Sequence, residues 1–254
     1  MKRYFLELSY MGTAYAGFQR QENANSVQSE IEKALQIILR DKIELTGSSR
    51  TDAGVHALQN YFHFDINREL DPRLLYNLNA ILPGDISIQQ LIAIRPEAHS
   101  RFDAVSREYR YHIYRRKDPF LRDRAYYFPY QLDLELMQQA AGILKEYQDF
   151  TSFSKRNTQV KTFLCRLETS EWNRDVNGNL QYYVKGNRFL RGMVRALTAT
   201  MLKLGRGKMN LDEFRAVIEA RDCTKADFAV PPHGLFLEKV NYPDDYFCRV
   251  GAGG

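Results

Sequence analysis

Between residues 58 and 66 the chain reads LQNYFHFDI, with Leu58, Asn60, Phe62, Phe64 and Ile66 opposed to Gln59, Tyr61, His63 and Asp65. A period of two held over that length fits a strand rather than a helix. The same period opens the chain, where Tyr4, Leu6, Leu8 and Tyr10 take one face and Phe5, Glu7 and Ser9 the other. Between these runs Val27, Ile31, Leu35 and Ile38 recur at helical spacing behind a cap at Asn25 or Ser26. Gln28 is placed to close a capping box with Asn25. KIELT, 42–46, reads as a short strand, and DISIQQLIAI, 85–94, as another. DPRLLYNLNAIL starts a helix with Pro72 in its first turn, where a missing N–H does no harm. The order is strand, helix, strand, strand, helix, strand.

The second half repeats the theme. REYRYHIYR, 107–115, is a strand, and LDLELMQQAAGILKEY is an amphipathic helix ending near Tyr147. CRLETSEW and LQYYVKGNRF form a hairpin around DVNGN. FLRGMVRALTATMLKLG reads as a helix with Gly205 placed to stop it, Asn210 and Glu213 cap the next, and GLFLEKVNY closes with a strand. Two α+β halves with similar element order suggest a duplicated split βαβ unit around a mixed sheet flanked by helices. The expected division is 1–103 and 104–254, and the GAGG tail is expected to be floppy.

Composition narrows the class. No run of eighteen apolar residues occurs, so nothing reads as a membrane span, and the opening alternation reads as a strand rather than a signal peptide. Cys165, Cys223 and Cys248 are odd in number and widely spaced, and form neither a disulfide framework nor a zinc knuckle. A cytoplasmic location is expected. The net charge of +5 is modest. Its distribution is more telling, because residues 176–210 contain no acid while Lys185, Arg188, Arg191, Arg195, Lys203, Arg206 and Lys208 all fall there. A solvated basic face is one reading of that run, and a phosphate-binding surface is the other.

Three residues invite chemistry. Asp52 lies in GSSRTDAGVHA, a glycine-containing loop between strands that also carries Arg50 and His56. Such a frame can aim a short carboxylate into a cleft, and a held, ionised carboxylate can attack carbon. The plain alternative is an Asx-turn in which Asp52 bonds the backbone of Gly54. Arg195 lies off the stripe of Leu190, Val194, Leu197, Met201 and Leu204, half buried, where a guanidinium needs an acceptor unless it snorkels to water. Asp52 is the natural partner to propose. Tyr109 shares a strand face with Arg107, Tyr111 and Ile113. It suits either stacking on a nucleobase or a core place with a satisfied hydroxyl. No HExxH, CxxC, GxGxxG or P-loop is present, so neither metal nor nucleotide cofactor is indicated, and no GxSxG marks a hydrolase serine.

SRTDAGVHA resembles the signature of the tRNA pseudouridine synthase A family. YMGTAYAGFQRQ, LNAILPGDI, HSRFDAVSREYRY, DFTSF, FLRGMVR and PPHGLFLEKVNYP are similar to further family blocks, in family order and nearly end to end. The resemblance implies a mixed central sheet built from two similar halves. It makes Asp52 the catalytic aspartate, Tyr109 the base-stacking tyrosine and Arg195 the arginine that pairs with the aspartate. Arg50 matches the arginine that helps flip the target nucleotide and fills its space. His56, Arg20 and Arg191 are expected to join Arg50 and Tyr109 in binding substrate. The implied protein is a homodimer acting on uridines 38, 39 and 40 of the tRNA anticodon stem-loop, without cofactor, metal or membrane. Four positions depart from the family's usual residues: Met11 for aspartate, Phe18 for tryptophan, and Ser49 and Ala199 for glycine. The rival functions are a non-catalytic RNA-binding protein on the same scaffold and a small-molecule hydrolase.

Overall fold

A computed structural model describes residues 1–156 and 160–247. Cys248 and the GAGG tail lie outside the described residues. Contacts divide the chain into two compact units, one of Met1–Val105 with the segment from Leu237 onward, the other of Ser106–Phe236. No helix among the described residues is long and apolar enough to cross a membrane. The fold is α+β with a mixed sheet, flanked by helices.

The first unit runs β1 (Lys2–Tyr10), α1 (Val27–Leu39), β2 (Thr46–Gly47), β3 (His56–Ile66), α2 (Leu74–Ile81) and β4 (Ile86–Ile94). β1 pairs antiparallel with both β3 and β4, with Tyr4 opposite Phe64 and Ala93. Phe5 on the second face of β1 is as fully buried as Leu6 and Leu8, so this strand is covered on both sides. The cap of α1 is Ser26, and its box closes with Ser29 rather than between Asn25 and Gln28. Gln28 has other work. Its amide donates to the Leu45 carbonyl at 2.9 Å, and Glu32 accepts from the Leu45 N–H at 3.1 Å. Those two side chains occupy both backbone groups of Leu45, so within KIELT only Thr46 pairs, opposite His63, followed by Gly47 opposite Phe62. α2 begins at Leu74, with Pro72 in the turn before it.

The second unit runs β5 (Ser106–Tyr114), β6 (Tyr126–Tyr127), α3 (Leu134–Ile143), β7 (Leu167–Arg174), β8 (Leu180–Gly186), α4 (Met193–Gly205) and α5 (Leu211–Glu219). β9 (Leu235–Asn241) then begins in this unit and continues into the first. β8 pairs antiparallel with β5 and β7, and β6 lies parallel to β5. Beyond the added β6 and α5, the order repeats that of the first unit. α4 ends at Gly205, as its sequence reading has it, but differs from that reading at its start. It starts at Met193, because Gly192 is left-handed at φ 74° and the Arg191 carbonyl accepts from Lys155 N–H instead of a helical partner. Gly205 is still helical and pressed against Met137, while Gly207, at φ 68°, supplies the left-handed turn.

Candidate active-site residues

In the first unit the loop before β3 is fastened on two sides. From β3, Asn60 is fully buried; its carbonyl oxygen accepts from Ser49 N–H at 3.3 Å and its amide donates to the Ser49 carbonyl at 2.8 Å. The same amide donates to the Tyr10 hydroxyl, which shares a 2.8 Å hydrogen bond with Thr51 Oγ1. A polar residue on the inward face of a strand is costly unless satisfied. Here it replaces a backbone ladder for a stretch that has none.

The other side is the segment after β1. Phe18 N–H donates to the Thr51 carbonyl, Gly54 N–H to the Tyr15 carbonyl at 3.4 Å, and Gly12 N–H to His56 Nδ1 at 2.9 Å. Gly17 bridges Asp52. The approach is close enough that a Cβ on Gly12 would stand 2.0 Å from the Val55 carbonyl oxygen, so only glycine fits. The third partner is LNAILPGDI. Asp85 takes Met11 N–H on its carbonyl at 2.9 Å and the Tyr15 hydroxyl on its carboxylate at 2.5 Å. Burial, then the Asp85 carboxylate, push the Tyr15 phenol well above its usual range. Three blocks distant in sequence are therefore one object.

This frame holds Asp52 half buried and leaves Arg50 exposed. The Gly54 N–H, named from sequence as an Asx-turn donor, reaches the Tyr15 carbonyl at 3.4 Å. The turn here is a backbone one, Val55 N–H to the Asp52 carbonyl at 3.2 Å. Arg20 is exposed and 3.6 Å from Glu32. His56, expected among the substrate contacts, is fully buried with Nδ1 accepting from Gly12. That fastens it to the segment after β1. Phe18, where tryptophan is usual, is buried and stacks on Phe62 at 4.3 Å in the room left by Gly47.

In the second unit Tyr109, Tyr111 and Ile113 form the buried face of β5, as their alternation implies. Tyr109 is 8% exposed and meets Phe189 edge to face at 5.0 Å. Tyr111 donates its hydroxyl to the Pro231 carbonyl at 2.7 Å, and burial pushes its phenol well above the usual range. Its ring leaves no room for a Cβ on Gly234, which would lie 2.6 Å from the ring carbon bearing the hydroxyl. Arg195, half buried on α4, donates from Nε and Nη2 to the Val230 carbonyl at 3.0 and 2.6 Å. RxYxY, FLRGMVR and PPHG thus meet on the segment 230–234.

The basic run is divided by the fold. Lys185 pairs with Glu168 at 3.0 Å, Arg206 lies 3.9 Å from the centre of the Tyr130 ring, and Arg195 is spent on Val230. Lys203, Lys208 and Arg191 are exposed, and Arg188 is half buried. Asp52, Arg50, His56 and Arg20 belong to the first unit; Tyr109, Arg195 and Arg191 to the second. Among the described residues no three His, Cys, Asp or Glu side chains gather as a metal site. The residues missed in sequence are Asn60, Tyr10 and Gly12 in the first unit and Tyr111, Phe189 and Val230 in the second. Asn60 carried a signal, as the one amide among Phe62, Phe64 and Ile66 on its strand face.

A family model described as tRNA pseudouridine synthase matches residues 8–103 and 147–243. The tRNA pseudouridine synthase A of Parabacteroides distasonis is 44% identical over 250 residues, 97% of this chain and 98% of that one. Its Bacteroides thetaiotaomicron namesake is 45% identical over 252 residues, covering 98% and 94%. The Bacillus subtilis protein of the same name is 39% identical over 240 residues, covering 92% and 97%.

Proposed function

Since the chain belongs to the tRNA pseudouridine synthase family, we propose that it isomerises uridines 38, 39 and 40 of the tRNA anticodon stem-loop, with Asp52 as the acting carboxylate. It is an isomerase of tRNA, and the finer reading adds site and mechanism. The observation that carries it is the fastening of the Asp52 loop, which spends Asn60, Tyr10, Gly12 and His56 on holding one short carboxylate half exposed. A carboxylate held in this way suits covalent or general-base work.

The reaction breaks the N1–C1′ bond, forms C5–C1′, moves a proton to N1 and releases one from C5. Substrate and product are isomers, so no oxidant, reductant or group donor enters the balance, and the reading is cofactor-independent. Asp52 assists cleavage, by adding to C1′ or by taking the C2′ proton to give a glycal; addition to C6 is the third route consistent with a carboxylate. Tyr109 lies against the detached ring and relays the C5 proton. On the family resemblance, Arg195 is the arginine assigned to the aspartate. The target must first leave its stack, at a cost of a few kcal/mol. Arg50 fills the space, while Arg191 and Arg20 contact phosphates and offset that cost. Affinity for tRNA then falls steeply with salt. The acting form is a homodimer in the cytoplasm, each tRNA touching both subunits. The blocks shared with the family support this.

The test is positional. Transcripts carrying uridine at only one of positions 38, 39 and 40 are incubated with the enzyme, and pseudouridine is mapped by mass spectrometry. Product at each of the three supports the reading. Product only elsewhere in the tRNA would leave the family standing and overturn the assigned site.

A further inference from the structure

Phe189 belongs to FLRGMVR, where the sequence alone reads as helix. The structure takes it out of the helix and holds it in a short loop between β8 and α4. That loop is tied at both ends. At its start, Asn187 N–H donates to the Arg166 carbonyl, Arg166 N–H returns to Asn187 Oδ1 at 2.8 Å, and Arg107 Nη1 donates to the Asn187 carbonyl. At its end, Lys155 N–H holds the Arg191 carbonyl and Gly192 turns left-handed into α4. Gly186 gives the ring its space, since a Cβ there would lie 3.3 Å from Phe189 Cζ and 2.9 Å from the Arg166 carbonyl oxygen.

The held ring meets Tyr109 at 5.0 Å with planes 75° apart. A tyrosine on a strand has its first torsion limited by packing, but its ring can still turn about the second. An edge-to-face neighbour biases that rotation, because the positive edge of one ring seeks the negative face of the other. Phe189 is only half buried, so filling the core does not account for it.

We propose that Phe189 is a positioning residue that sets the plane of the Tyr109 ring for the uracil. The proposal rests on the reading of Tyr109 as the ring that lies against the base. The aromatic preference supports a bias of up to about tenfold between ring orientations, and the chemical step carries that factor while tRNA binding does not.

The experiment measures single-turnover tritium release from tRNA transcripts labelled at uridine C5, with tRNA Kd measured separately by filter binding. The variants are Phe189→Leu, Phe189→Tyr and Tyr109→Leu, each checked by thermal melting. Expected are a rate about tenfold lower for Phe189→Leu with Kd within about twofold of wild type, and a rate near wild type for Phe189→Tyr, which keeps the edge. If Phe189→Leu does not fold, Phe189→Met takes its place. An unchanged rate in Phe189→Leu beside a slow Tyr109→Leu would overturn the positioning role alone. A raised Kd with an intact saturated rate would make Phe189 an RNA contact and also overturn it. A wild-type rate in Tyr109→Leu would remove the reading of Tyr109 itself, and the role of Phe189 with it.

Discussion

The two units hold their candidate residues with different materials. In the first, an irregular loop is bound by backbone to backbone and by one buried amide, and the contact at Gly12 is too close for any side chain. In the second, Tyr109, Tyr111 and Arg195 sit on a regular strand and helix, and it is the segment 230–234 that is carried, on the Tyr111 hydroxyl and the Arg195 fork. The position of Asp52 is thus a property of the loop's backbone. The position of Tyr109 follows from strand periodicity. A backbone-held residue tolerates almost no change in its scaffold, while one held by periodicity tolerates repacking.

The largest expected effect separates these materials. Gly12→Ala forces a Cβ to 2.0 Å from a carbonyl oxygen that belongs to the loop, and nothing flexible can give way. It should destabilise the protein by about 3 kcal/mol or more and abolish turnover. Gly234→Ala meets a side chain, the Tyr111 ring, rather than backbone, and should cost about 2 kcal/mol with residual activity. Chemical denaturation of both variants checks the order. Equal losses would mean that the two scaffolds are alike after all.

Arg195→Lys keeps the charge and loses the fork onto Val230. We expect about 1 kcal/mol of stability lost, and faster proteolysis of the segment between α5 and β9 than elsewhere. Uniform proteolysis would show that Arg195 does not hold that segment.

Acid should act on the first unit. His63 is buried, which lowers its pKa to about 4, with His99 and Arg3 adding to the effect. Its ordinary value is about 6.5. Above that pH neither folded nor unfolded chain protonates it. Between about 6.5 and 4 the unfolded chain takes up a proton that the folded one refuses, so stability falls as pH falls through that window. The thermal midpoint should be lower at pH 5 than at pH 7.5, and His63→Gln should flatten the difference. An equal slope in the variant would assign the effect to other groups.

The smallest effect is a gain. Ser49 Oγ is buried without a hydrogen-bond partner, although its backbone is satisfied by Asn60. Ser49→Ala removes that orphan and should stabilise by about 1 kcal/mol, raising Tm by roughly 2–4 °C. A lower Tm would show that the hydroxyl is satisfied in solution.

Legibility from sequence divides along the same line. β1, β3, β4 and β5 are readable because a period of two marks a strand even where, as in β1, both faces are buried; Tyr109 takes its place from that period and Arg195 from helical spacing. KIELT was misread because Gln28 and Glu32, a helix away, take its backbone groups. The start of α4 was misread because Phe189–Arg191 fit helical spacing, while the bond that excludes them comes from Lys155. The Asp52 loop was recognisable as a motif, but its scaffold was not. Asn60, Tyr10, Gly12 and Asp85 are set by contacts far apart in sequence, and local pattern does not encode such contacts. His56 illustrates this: its place beside Arg50 and Asp52 in sequence gives no sign that its Nδ1 accepts from Gly12 N–H.

On the proposed reading, the fastened carboxylate of Asp52 performs the isomerisation. Tritium release from uridine C5 in unmodified tRNA transcripts, wild type against Asp52→Asn, tests it most directly, because the change keeps the side chain's shape and removes its charge. Expected are release by the wild type and at least about a thousandfold less by Asp52→Asn, with tRNA binding retained. Equal release by both would contradict it and move the chemistry to another residue.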